Sequence, residues 1–173
     1  MASSIVVVDV ISDIVSTISG VRFDYGHPLE MFNTLNAMSS GTAKAKKFPL
    51  IMLFAPFKED GNKKAYERMV ELNFILAVKT EQAIKSEERY TKNYRDYLIP
   101  LSDSLKAAII ASKQILTPYS DDFKFETQIH TEWGTQNKWG TSAIISNDFI
   151  DAIEVNTTLQ FKEKRFTFLT KRP

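Results

Sequence analysis

Few side chains in this chain are of a type that performs chemistry by itself. The 173 residues hold two histidines and no cysteine, so disulfides, thiolate metal sites and a cysteine nucleophile are excluded. His27 precedes Pro28 in what reads as a turn, where capping or packing is its expected role. His130 and Glu132 stand two apart on an expected strand and share a face, yet two ligands fall short of the three or four that a zinc site uses. Asp121 with Asp122, or Asp151 with Glu154, supply paired carboxylates for acid and base work. No spacing brings either pair into a common cleft, so solvated or turn-capping positions are expected for them. A glycine-rich phosphate loop, a nucleophile elbow and an HExxH helix are all missing from the sequence. We therefore expect no enzymatic activity and no cofactor or metal.

Charge and aromatic residues narrow the partners. Lys and Arg total 22 against 21 Asp and Glu, a net charge of +1, so no overall field draws the chain to nucleic acid or an anionic membrane. Local basic clusters occur at Lys44 to Lys47 and in the tail from Lys162 to Pro173. Each could touch phosphates, dock on an acidic partner or simply be solvated. Tyr90, Tyr94 and Tyr97 read as core and boundary packing, since a base-stacking platform is normally accompanied by a basic excess. Trp133 and Trp139 each precede a glycine in a loop-like stretch. Both an interface role and a cover over a sheet edge remain open for them. Asn156-Thr157-Thr158 is a glycosylation sequon in form, but it falls on an expected paired strand with no export signal before it.

The elements that must position these groups follow from periodicity. Hydrophobic residues make up 43% of the chain and charged ones 25%, with 6 Gly and 6 Pro, a folded composition of a size for one domain spanning 1–173. The apolar start from Ile5 to Ile18 contains Asp9 and Asp13 and lacks a preceding basic region, so neither a signal peptide nor a membrane span is expected. Val8, Ile11, Val15 and Ile18 instead mark an amphipathic helix, capped by Ser3 or Ser4 and ended by Gly20. A second short helix is expected from Leu29 to Met38. Phe48 to Phe57 reads as a buried strand, with a tight turn at Asp60-Gly61. From Arg68 to Val78 the alternation of Val70, Leu72, Phe74, Leu76 and Val78 with Glu71, Asn73 and Lys79 marks a strand with one wet face. Together the two runs form a long antiparallel hairpin.

A long helix is expected from about Tyr94 to Ile115, after an irregular entry over Ser86 to Asn93, with Pro100 forcing a kink or an early start. Phe123, Phe125 and Ile129 suggest a third strand. Ile153, Val155, Leu159 and Phe161, in phase with Asp151 and Thr157, give a fourth. The expected fold is α+β, a single antiparallel sheet built on the hairpin and packed by the N-terminal and long central helices. The tail over 162–173 is expected to be basic and extended.

This order of elements, with Phe48-Pro49 opening the first strand and Asp151, Ile153 and Val155 in the last, resembles the tail-terminator and tail-completion proteins of tailed bacteriophages. The similarity spans about residues 5 to 161. It departs from the family in the Trp133 to Trp139 segment and in the tail from Phe166 to Pro173. The resemblance implies a non-enzymatic virion structural protein, a ring subunit, usually in a hexamer, that caps the tail tube or joins it to the head. Its implied partners are copies of itself, the tail tube protein and head-completion or portal-side neck proteins, with no membrane and no nucleic acid beyond DNA passing through the ring. Its implied location is the virion tail or neck, with assembly in the host cytoplasm. Expected subunit contacts are Lys58, Glu59, Asp60, Lys63 and Lys64 in one loop, Trp133 and Trp139 in another, and Lys162, Lys164 and Arg165 in the tail. Cyclic assembly requires two different, complementary faces. A small ligand-binding or enzymatic α+β domain, with a pocket between helix and sheet, is the alternative.

Overall fold

Two long strands organise the chain in its computed structural model, which describes residues 7–38, 46–62, 67–81, 83–116, 124–133 and 148–162. Strand β4 (Glu67–Lys79) and strand β7 (Ile150–Lys162) pair antiparallel along their full length, from Glu67 opposite Lys162 to Lys79 opposite Ile150. Strand β2 (Leu50–Phe54) pairs antiparallel with β4, as the alternating pattern anticipated. Strands β5 (Ile115–Leu116) and β6 (Phe125–His130) both pair antiparallel with β7 on its far side.

The expectation of a purely antiparallel sheet needs correcting. Strand β1 (Arg22–Gly26) lies parallel to β2, with Phe23 opposite Ile51 and Tyr25 opposite Leu53, so the sheet is mixed. Only two apolar residues alternate in β1, too few for a period-two signal to emerge. The tight turn expected at Asp60-Gly61 is also displaced. Both residues belong to strand β3 (Lys58–Asn62), where they pair with Met69 and Arg68. The long β4 offers unpaired backbone groups there, and pairing them outweighs the weak strand preference of Asp and Gly. Among the described residues the sheet has seven strands, in the order β1-β2-β4-β7-β5, with β3 on β4 and β6 on β7. The peptide bonds before Pro49 and Pro56, on either side of β2, are cis.

Helix α1 (Val7–Ser16) buries Val7, Val10, Ile11, Ile14 and Val15. Helix α2 (Pro28–Ala37) buries Met31, Phe32 and Leu35. His27 caps α2 as expected, its Nδ1 accepting from the Leu29 N–H at 3.3 Å. Helix α3 is continuous through three segments, α-helical Ser86–Arg89, π-helical Tyr90–Leu98 and α-helical Ile99–Ala111. It starts earlier and stops sooner than the stripe suggested. Pro100 follows directly on the wide π turns, where the Ile99 N–H reaches back to the Tyr94 carbonyl, so a missing donor is accommodated without breaking the helix. Ile115, expected in the helix, instead pairs in β5 opposite Phe161.

The two faces of the sheet are covered differently. Helices α1 and α3 pack on one face, where Val70, Leu72, Phe74, Leu76, Ile153, Val155, Leu159 and Phe161 meet Ile11, Leu98, Leu105 and Ile109. Helix α2 packs on the other, over Leu50, Met52, Ile75, Ala77, Ile150 and Ala152. Burying each large aliphatic side chain contributes about 1.5–3 kcal/mol. The thirteen-residue ladder thus carries a core on both sides at its β2 end.

Candidate functional site

Three features stand out among the described residues: a buried ionic cluster, an open cleft and the outer strands β1 and β6 of the described sheet. The cluster is centred on Asp151, which is fully buried on the face covered by α1 and α3. The expectation of a solvated or turn-capping Asp151 is therefore corrected. Its carboxylate accepts from Arg89 Nη1 at 3.2 Å, Asn93 Nδ2 at 2.6 Å and the Glu132 N–H at 3.1 Å. Arg89 also donates through Nη2 to Glu132 Oε1 at 3.0 Å, and Asn93 to Thr80 Oγ1 at 2.9 Å. Arg89 and Asn93 lie on successive turns of α3, which brings both to the start of β7. A buried carboxylate needs such a set of donors, because burial alone strongly disfavours the charge.

That cluster fixes the turn after β6. Glu132 has φ 49, a left-handed conformation that is uncommon outside glycine and is held here from both its side chain and its N–H. Trp133 follows, its N–H donating to the Ile150 carbonyl at 2.7 Å. The indole packs against Phe32, ring centroids 5.2 Å apart, and Phe54, 5.9 Å apart. It is 5% exposed and belongs to the α2 core, which corrects its expected place in a subunit contact. Nearby, Tyr94 donates its hydroxyl to the His130 carbonyl at 2.7 Å, and burial, its largest influence, drives the phenol pKa up from the ordinary 10.0.

The cleft lies on the other face, beside α2, with a volume of about 710 Å³. Its walls include His27, Phe54, Pro56 and Trp133, and its floor includes Asn73, Glu154 and Asn156. Asn73 and Asn156 are directly opposite in the β4–β7 ladder. Asn73 Nδ2 donates to Glu154 Oε1 at 2.7 Å and to Asn156 Oδ1 at 2.6 Å, while Glu154 Oε2 lies 2.9 Å from His130 Nε2. His130 thus meets Glu154 across the β6–β7 ladder, whereas Glu132 turns to Arg89. The two do not share a strand face as expected, since β6 ends at His130. Among the described residues no three His, Asp or Glu side chains are grouped to hold a metal ion. Asp151 and Glu154 point to opposite faces of β7, so they form no acid and base pair.

The two edges are the remaining feature. Among the described residues β1 pairs only with β2, and β6 only with β7. Apolar surface accompanies both: Tyr25 is 55% exposed on β1 and Ile129 is 49% exposed on β6. Tyr90 and Tyr97 are exposed as well, so only Tyr94 of the tyrosine series joins the core.

Other expected contact residues are scattered. Lys58 is exposed on β3 with its Nζ 3.2 Å from Glu71 Oε1. Glu59 and Asp60 lie in β3 and pair with Val70 and Met69 of β4, and Lys162 closes β7 opposite Glu67. Lys63, Lys64, Trp139, Lys164, Arg165, the pair Asp121 and Asp122, and the tail beyond Lys162 lie outside the described residues. Of the cluster Lys44 to Lys47, Lys47 is buried against Asp148 and so is unavailable to an outside anion. The buried cluster escaped the sequence reading, although one signal was present: Asp151 occupies the apolar phase of the β7 alternation.

No helix among the described residues is long and apolar enough to cross a membrane. Compared with known proteins, the chain matches no protein-family model and no curated sequence.

Proposed function

We propose that this chain is a non-enzymatic structural protein of a tailed phage, a tail-terminator or head-tail connector subunit that assembles into a sixfold ring. The supporting observation is the order of elements, helix α1, strands β2 and β4, the long α3 and then β7, which carries the resemblance to that family. A cyclic oligomer joins one face of each subunit to a different face of the next. In this reading the ring sits in the virion tail or neck, against the tube on one side and head-completion or portal-side proteins on the other, and DNA passes through it. Its partners are other copies of the chain first, and these proteins second. Size-exclusion chromatography with light scattering tests the ring. A mass about six times the 19.7 kDa of the chain is expected. A species of 19.7 kDa at every concentration overturns it.

The cleft favours a second reading, a small-molecule-binding α+β domain. Its volume is within the ordinary range for ligand pockets, and fixed polar groups on its floor would orient a ligand. Saturable chemical-shift changes at Asn73 and Asn156 on titration with a small-molecule library would support it, and their absence across the library would count against it.

A further inference from the structure

We propose that the outer edge of β1 pairs with the same edge of a second copy of this chain, antiparallel about a two-fold axis, so that two sheets join into one. The backbone supplies the first reason. In a parallel ladder alternate residues turn their N–H and C=O to the neighbouring strand. Arg22 donates its N–H to the Pro49 carbonyl at 3.0 Å, and the Gly26 carbonyl accepts from the Ala55 N–H at 3.0 Å, so Arg22, Asp24 and Gly26 face β2. Phe23 and Tyr25 therefore turn their backbone groups outward. Among the described residues the Phe23 N–H and C=O and the Tyr25 C=O meet no partner, and the Tyr25 N–H reaches only the adjacent Asp24 Oδ1, at 3.0 Å. The chain on both sides of this strand belongs to the described residues, α1 and its exit before it and α2 directly after it. Such an edge is a template for another strand unless Pro, Lys or a bulge blunts it, and β1 has none of them.

The edge is also complementary to itself. Arg22 and Asp24 share the face that α2 covers, opposite Leu50 and Met52, with Arg22 Nη2 2.9 Å from Asp24 Oδ2. Arg22 is held as well by Met38 Sδ at the end of α2, so this charged pair is ordered in advance. Phe23 and Tyr25, their rings stacked with centroids 6.3 Å apart, take the other face together with Val21. A two-fold axis at Phe23 sets that residue opposite its own counterpart, Arg22 opposite Asp24 of the second copy, and Val21 opposite its Tyr25. Two arginines and two aspartates then alternate around a square, each charge between two opposite ones. Tyr25, 55% exposed in the single chain, gains an apolar neighbour.

Other registers lose this match. An axis at Asp24 sets aspartate against aspartate, and one at Arg22 sets arginine against arginine. An axis at Tyr25 leaves Arg22 opposite Pro28 and Asp24 opposite Gly26. A slip by one residue turns the outward backbone groups of one strand toward the satisfied groups of the other. Only the register centred on Phe23 pairs every charge, and it keeps α1 and α3 of both copies on one side of the joined sheet.

The junction goes beyond the ring reading and does not rest on it: by itself it makes a dimer, and between sixfold rings it couples one ring to another. Sedimentation of the full chain over a concentration series reads it. The unaltered chain should reach a species of twice its unpaired mass, whether the unpaired form is the 19.7 kDa chain or a ring. Asp24→Arg leaves two arginines on the edge, and Arg22→Asp leaves two aspartates. Each variant alone should weaken the doubling at least about tenfold, because symmetry puts two like-charge pairs into every junction. An equal mixture of the two should restore it, since each arginine of one variant then faces an aspartate of the other while the contacts inside each chain stay unfavourable. Mixing cannot mend a loss of folding, so recovery identifies the junction. No recovery, with both variants folded by circular dichroism, overturns the inference, as does a doubling that neither variant weakens. An unaltered chain that never doubles overturns it too, and leaves β1 to a strand of another protein. Rings that form without doubling keep the ring reading and remove the junction, whereas doubling of the 19.7 kDa chain without rings does the reverse.

Discussion

The β4–β7 ladder shows two different solutions to the same backbone pairing, one on each face. Toward α1 and α3, alternate residues from Val70 to Val78 and from Ile153 to Phe161, interrupted at Thr157, form a dry apolar layer. Toward α2, the same strands begin apolar, at Ile75, Ala77, Ile150 and Ala152, and turn polar at Asn73, Glu71, Glu154 and Asn156. Coverage explains the difference. Two helices of ten and, in its α-helical C-terminal part alone, thirteen residues cover the first face, whereas the ten residues of α2 cover one end of the second. Each face also holds an exception that tests the rule. The dry face contains the buried carboxylate of Asp151, matched by three donors, and the half-open face contains the buried indole of Trp133.

The largest effect expected is at the exception on the dry face. Asp151→Ala removes the acceptor shared by buried Arg89 and half-buried Asn93, leaving them the Glu132 and Thr80 side chains, and should lower the unfolding free energy by about 3–5 kcal/mol. Denaturant unfolding measures it, and a loss below about 1 kcal/mol would show that the cluster is reached by water. Trp133→Ala, on the other face, should lose about 3 kcal/mol through the cavity left between Phe32 and Phe54. A much smaller loss would mean that α2 is only loosely attached.

Tyr94→Phe removes one hydrogen bond, about 1 kcal/mol at neutral pH. Its pH signature is more telling. The folded phenol pKa is raised, so above the ordinary value of 10.0 the unfolded chain releases a proton that the folded chain retains. Stability then falls as pH rises past that value. Unfolding followed from pH 8 to 11 should show a shallower alkaline decline in Tyr94→Phe, and identical declines would contradict the burial. The smallest effect belongs to Lys58→Ala, which removes an exposed pair with Glu71 and should change stability by less than about 0.5 kcal/mol. A double-mutant cycle with Glu71→Ala checks it.

Legibility varied with how local each signal was. The alternation of β4 and β7 and the rhythms of α1 and α2 could be read because burial on one side repeats at the element's own period. Strand β1 was too short for that signal, and β3 was hidden because Asp60-Gly61 has turn chemistry that ladder pairing overrides. Trp133 had no stripe to join, since its neighbours come from α2 and β2. Glu154 read as a wet-face residue, and it is one, but its contacts with Asn73 and His130 cross two ladders.

By itself, the sequence determined the α+β class, the absence of thiol chemistry, the near-neutral charge and the wet and dry phases of the two long strands. These are properties of composition and of spacing along one element. The parallel place of β1, the pairing of Arg89 with Asp151 across 62 positions and the burial of Trp133 were decided only by tertiary structure. The reason is physical: each depends on which strands become neighbours, and side-chain periodicity carries the orientation of an element but not the identity of its partner.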